Sequence, residues 1–214
     1  DGVKNVVKVL QEVGYKNTLV VVSAMGKTTN GMEAIVGAYF DDKNNLSSKI
    51  QEVIDYHAVI LHDLFPNKEH KVYKRVKVLF DEVQGFLAWN KSPNYNFVYD
   101  QVVGYGELIS TSIISAYLNE IGMQNNWLDV RSLIKTNNMY RDTTVNWEKT
   151  QEQINQTVDK KVLNITQGFL GSDDNNFTTT LGREGSDYTA AILAYCLNAD
   201  SVTIWKDVPG VLNA

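Results

Sequence analysis

The sequence holds one cysteine, Cys196, among 214 residues. A single thiol closes no internal disulfide, which excludes a cross-linked secreted scaffold and favours a reducing, cytoplasmic setting. No histidine stands near it in sequence, so Cys196 reads as a packed side chain on a helix face rather than as a nucleophile. Histidine is also sparse, with three copies. His57 and His62 fall off the i,i+4 spacing that would place two ligands on one helix face, so no metal site is expected and both read as solvated or partly packed. Positive charge is short as well: the formal net charge is −5, whereas a general nucleic-acid binder accumulates Lys and Arg. Any anionic ligand must therefore be met by locally placed cations. No apolar run approaches the roughly 18 residues of a membrane span, and the start carries no secretion-signal pattern. The GxxxxGK[ST] phosphate loop and the HRD and DFG strings of protein kinases are missing too, so neither of those phosphoryl-transfer machineries applies.

What is present is an ordinary globular composition, 43% hydrophobic and 21% charged, long enough for one domain with a proper core. Val3, Val6, Val7 and Leu10 recur at helical spacing after Asp1 as a cap, and Gly14 is placed to end that helix. Thr18–Val22 is a β-branched run typical of a parallel strand covered on both faces. It empties into Ser23–Asn30, a loop carrying hydroxyls and Lys27 at the carboxyl end of a strand, where open α/β sheets bind ligands; such hydroxyls also serve as plain helix caps. From about 41 to 97 the composition turns to charged helix, read as a helical excursion from the sheet whose cluster Lys68, Lys71, Lys74, Arg75 and Lys77 is a solvated face. Gly104-Tyr105-Gly106-Glu107 opens a long helix from Leu108 to Ile121, closed by Gly122. Strands are expected at 127–130, 162–169 and 201–205, a polar helix at 147–160 and a turn at 171–176. This alternation predicts an α/β fold, a three-layer α/β/α sandwich on a mainly parallel sheet. The chain opens without an initiator methionine and stops just after a fresh strand and turn, as a piece of a longer protein would.

The stretch from Thr178 to Ala194 carries the most chemistry. Threonines and then glycines give way to Tyr188, Ala191, Ile192 and Tyr195 at helical spacing, so it reads as strand, tight loop, helix. Ser186 is a good N-cap and Asp187 sits in the first turn, where free backbone N–H groups favour an anion. Arg183, directly after Gly182 in this glycine-containing loop, can grip an oxyanion with a planar fork. On local chemistry alone an ordinary capped helix accounts for the loop as well as an anion site does, and Glu107 could be no more than a helix-dipole partner.

The strings themselves are more specific. TLGREGSDYTAA resembles the substrate loop of aspartate kinases, which commonly read TTLGRGGSDYTA; VSAMGKTTN, GYGELIST, VLNITQGF and IWKDVPGV resemble further segments of that family, in the same order, over nearly the whole chain. The resemblance implies the amino-acid kinase fold, with 1–214 as part of the catalytic domain. It also implies transfer of the ATP γ-phosphoryl group to the β-carboxylate of L-aspartate, giving 4-phospho-L-aspartate, the first step toward lysine, threonine and methionine. By the same resemblance Ser23, Thr29, Arg183 and Ser186 contact aspartate, Glu107 holds its ammonium, Asp187 is the catalytic organiser, and Lys206 and Asp207 belong to the nucleotide loop. ATP would come with Mg2+, and the complete enzyme would be a homodimer. Glu184 stands where the family has glycine, Lys206 where it has threonine and Leu212 where it has tyrosine. The family's opening KFGGTS motif does not occur, and its C-terminal ACT domains are not in this stretch, so the 214-residue chain by itself is expected to be inactive. Two other readings compete: a different amino-acid kinase, such as one acting on acetylglutamate, and a non-catalytic domain that keeps the fold.

Overall fold

The apolar run after Thr18 becomes β1 (Leu19–Val22), and it pairs in parallel with β3 (Leu163–Gln167), which pairs in parallel with β2 (Asn125–Leu128) on its other edge. The order β1-β3-β2 means that each connection must cross over through helices, as parallel strands require. The computed structural model describes residues 2–182 and 184–206.

Helix α1 (Gly2–Val13) precedes β1, and Gly14 follows it at φ 87°, a left-handed position suited to glycine. The Asp1 cap lies outside the described residues. Between β1 and β2 come α2 (Thr28–Asp41), α3 (Leu46–Leu64), α4 (Lys71–Trp89), α5 (Tyr95–Val103) and α6 (Tyr105–Glu120). Between β2 and β3 lie α7 (Val130–Leu133) and α8 (Trp147–Thr157). A hairpin of β4 (Leu170–Ser172) and β5 (Thr178–Thr180) then leads to α9 (Gly185–Leu197).

Helix α6 is buried along almost its whole length and crosses all three strands. Its Thr111 receives the Gln167 side-chain amide at 2.7 Å and the Trp127 indole N–H at 3.0 Å, so β3 and β2 are tied to the same helix. Strand β3 is buried at every residue, and α9, packed with α8, covers the other side of the sheet. The excursion is packed rather than free: α3 lies along α2, and α4 along α6. The basic cluster from Lys68 to Lys77 is exposed, with Arg75 over the Trp127 ring.

Several boundaries differ from the sequence reading. Helix α6 begins at Tyr105, because Gly104 keeps helical angles and stacks α5 almost directly onto α6. Strand β2 stops at Leu128, since the Asp129 carboxylate accepts the Arg131 N–H and caps α7 instead. The expected turn at 171–176 gives its first residues to β4, which pairs with β5. The strand expected at 201–205 does not form: among the described residues 201–206 has no ladder partner, and Val202, Ile204 and Trp205 are more than half exposed. β-Branched composition makes a strand only where a neighbouring edge takes its hydrogen bonds. His57 is fully buried rather than solvated, its Nδ1 2.8 Å from the Val53 carbonyl oxygen; burial pushes its pKa down. His62 is exposed. Among the described residues no helix is long and apolar enough to cross a membrane.

Candidate functional site

Three segments far apart in sequence meet at the carboxyl end of β1. The first is the Ser23–Lys27 loop. The Ser23 carbonyl accepts from Ser110 Oγ of α6 at 2.8 Å, and its hydroxyl donates to Ser186 Oγ at 2.9 Å. Thr28 turns inward and donates to the Met25 carbonyl at 2.6 Å, closing the loop, while Thr29 is half-buried one position further into α2.

Helix α6 supplies the second segment. Gly106 lets it approach this loop closely; a Cβ there would lie 3.1 Å from the Ala24 Cβ and 3.2 Å from Thr28 Cγ2. The next residue, Glu107, is 3% exposed. The nearby backbone amides of Ala24 and of Glu107 itself favour the charged form, yet burial outweighs them and pushes the pKa up to about 7. Its Oε2 is buried without a hydrogen-bond partner among the described residues. A buried carboxylate oxygen left unpaired costs free energy unless something cationic or hydrogen-bonding arrives.

The third segment is the start of α9. Gly168 makes it possible: a Cβ there would fall 2.3 Å from Ser186 Oγ and 2.7 Å from Ser186 Cα. Ser186 is not the N-cap expected from sequence. That position belongs to Glu184, at φ 56°, with no side-chain capping bond. The family's usual glycine suits this left-handed backbone better than glutamate does. Ser186 instead lies inside the first turn and points its hydroxyl at Ser23. Asp187 is in that turn as expected, and Lys206 Nζ stands 2.7 Å from Asp187 Oδ2 and 2.9 Å from Glu184 Oε2. Two departures from the family strings, Glu184 and Lys206, therefore contact each other. The paired carboxylates push the lysine pKa up. Arg183 and Asp207 lie outside the described residues. No group of three or more His, Cys, Asp or Glu able to hold a metal ion occurs among the described residues.

Sequence reasoning missed Asp100, a fully buried carboxylate in α5 whose pKa burial pushes up to about 6. No local pattern announces it, because its partners, Thr180 and the Arg141 amide, are 80 and 41 residues away. It also missed His57, whose Nε2 lies 3.4 Å from Thr28 Oγ1 beneath the Ser23–Thr29 loop.

The amino acid kinase family matches over residues 1–214. Lysine-sensitive aspartokinase 3 of Escherichia coli (strain K12) is 34% identical over 198 residues, 90% of this chain and 43% of that protein. The chloroplastic bifunctional aspartokinase/homoserine dehydrogenase 2 of Arabidopsis thaliana is 27% identical, over 99% of this chain and 24% of its own length. Among solved structures, E. coli aspartokinase III in complex with aspartate and ADP (R-state) superposes with a TM-score of 0.86 at 30% identity, covering 97% of this chain and 46% of that one. The same enzyme with lysine and aspartate (T-state) gives 0.82 at 32% identity, covering 90% and 43%. The chain thus spans less than half the length of these relatives. Since the match runs from its first residue to its last, the chain belongs to the amino acid kinase family.

Proposed function

We propose that this chain carries the amino-acid side of an aspartate kinase, which phosphorylates the β-carboxylate of L-aspartate with ATP. The observation that carries the reading is the unpartnered, buried Oε2 of Glu107, which suits an ammonium group and would be a poor neighbour for an acylated nitrogen. The complex of a similar enzyme with aspartate and ADP supports the same choice of substrates.

A substrate β-carboxylate, with a pKa of about 3.9, is already ionised at neutral pH and needs no general base. The work left to the protein is to align two anions and offset their repulsion. In this reading Glu107 takes the ammonium, Arg183 the α-carboxylate, and Ser23, Thr29 and Ser186 offer hydroxyl donors. Asp187 acts as an organiser: it holds Lys206 at the start of α9, where a cation and the helix N-terminus both favour phosphate. Asp207 belongs to the nucleotide side with Lys206. ATP, when bound, supplies the phosphoryl group, and Mg2+ travels with its phosphates. Residues 1–214 as part of one catalytic domain, with 41–97 as its helical excursion, a homodimeric assembly and a cytoplasmic address complete the reading; the single buried Cys196 supports a reducing compartment.

The test is ADP release by the full-length protein with ATP, magnesium and a panel of L-aspartate, L-glutamate and N-acetyl-L-glutamate. Release with aspartate alone is expected. Turnover with the acylated substrate in preference to aspartate would reverse the assignment of Glu107.

A further inference from the structure

The β4–β5 hairpin has a free edge, and the structure shows what covers it. Along β5 and the residue to either side of it, Phe177, Thr179 and Leu181 face the hairpin partner: the Asp173 N–H donates to the Phe177 carbonyl at 3.0 Å, Thr179 is opposite Gly171, and the Leu181 N–H donates to the Phe169 carbonyl at 2.8 Å. The alternate residues Thr178 and Thr180 turn their backbone groups the other way, as an antiparallel pair requires. Among the described residues no strand receives them. Gln101 of α5 does so at Thr178, its amide donating to the carbonyl at 2.8 Å and its Oε1 accepting the N–H at 3.1 Å. Asp100 does so at Thr180, accepting the N–H at 2.9 Å on Oδ2 and the hydroxyl at 2.7 Å on Oδ1. The same Oδ2 accepts the Arg141 N–H at 3.0 Å. Two adjacent side chains at the end of a helix thus stand in for a missing strand.

What this edge grip connects gives it meaning. Asp100 and Gln101 sit one to two turns before Glu107, on a helical run that Gly104 scarcely interrupts. Thr180 is two residues before Gly182, at φ 75°, where the chain enters the segment of Arg183, Ser186 and Asp187. The Arg141 carbonyl lies 3.6 Å from where a Gly182 Cβ would be, so the third partner of Asp100 borders the same turn. We propose that Asp100 and Gln101 are positioning residues which fix the spacing between Glu107 and the Gly182–Asp187 loop, and so between the groups that meet the two ends of an amino-acid substrate. This rests on the function proposed above. Neither residue touches substrate; both act by holding β5.

Asp100→Ala leaves the buried Thr180 N–H and hydroxyl and the Arg141 N–H without their acceptor, and Gln101→Ala frees both Thr178 backbone groups. Asp100→Asn can turn its carbonyl oxygen to the two N–H groups and its amide to the Thr180 hydroxyl, and should restore much of the geometry. In the full-length protein, calorimetry should show aspartate binding weakened about tenfold or more in Asp100→Ala, less in Gln101→Ala, and largely recovered in Asp100→Asn, with ADP binding little changed in all three. Gln101 is half-buried, so its variant decides the matter if Asp100→Ala does not fold. Equal losses for aspartate and ADP, or no loss for aspartate, overturn the proposal. If the unaltered protein binds no aspartate, the functional reading itself has failed, and hydrogen exchange at 181–187 then judges the grip: exchange there no faster in Gln101→Ala than in the unaltered protein overturns it.

Discussion

Burial leaves the Glu107 carboxyl with one unpartnered oxygen and a pKa pushed up to about 7, against about 4.3 in an unfolded chain. The unfolded chain therefore releases this proton at lower pH than the folded one. Between the two values the folded state binds more protons, so this group's contribution to stability falls as pH rises and is fully lost above about pH 7. The full penalty is on the order of 3 kcal/mol. Asp100, pushed up to about 6, has the same sign over a narrower window. Glu107→Gln should consequently flatten the pH dependence of ligand-free melting between pH 5 and 8 by the Glu107 share, leaving that of Asp100. It should also weaken aspartate binding by about 1.5–3 kcal/mol, the worth of a charge-assisted bond. Parallel melting curves across that pH range for the two proteins would show that Glu107 is not held with a raised pKa. A carboxylate in this state costs the empty fold stability and gains a partner only with an ammonium ligand, the trade expected where a residue serves binding rather than packing.

At the scale of elements, the site depends on how closely α9 and α6 approach the strand ends. Gly168→Ala places a methyl carbon 2.3 Å from Ser186 Oγ and 2.7 Å from a backbone carbon, a clash that no rotamer change removes. It should cost about 1–3 kcal/mol, with loss of aspartate binding, whereas Gly37→Ala, with nothing within 4 Å of the new Cβ, should be neutral or stabilising by up to about 1 kcal/mol. Denaturant unfolding of the two variants checks both; equal effects would mean that α9 shifts freely on β3. The same elements show what the sequence revealed and what it hid. Strands β1 and β3 were legible because a β-branched run and a parallel partner agree, and the Gly122 stop of α6 because φ 88° is a backbone state that glycine favours. The strand expected at 201–205 failed for the opposite reason: Val202, Ile204 and Trp205 have the composition but no edge to join among the described residues. Ser186 looked like a cap by position, yet Glu184 took the left-handed residue before α9. The motif residues were visible since each motif is a contiguous string, whereas Asp100, Gln101 and His57 owe their roles to partners distant in sequence, which no local spacing reveals.

For the molecule as a whole, the proposed ligand would link segments that chain connectivity alone leaves far apart: the Ser23–Thr29 loop, the start of α6 and the start of α9. The formal net charge of −5 does nothing to attract an amino acid that is itself a net anion, so recognition has to come from local groups and from the match of Glu107 to an ammonium. A ligand that binds only the folded chain stabilises it by about 2.7 kcal/mol at a hundred times its Kd, roughly 5–10 °C in melting temperature for a chain of this size. L-Aspartate should produce such a shift in the full-length protein. Succinate, which keeps both carboxylates and lacks the ammonium, should produce little, because it would bring another anion toward the unpartnered Glu107 oxygen without offering it a proton donor. In Glu107→Gln the order should narrow, since aspartate loses its charged partner while succinate loses a repulsion. A melting series with the two ligands and the two proteins reads all four combinations. Equal protection of the unaltered protein by succinate and aspartate would remove the ammonium from the recognition scheme, and with it the reason for preferring aspartate over an acylated amino acid.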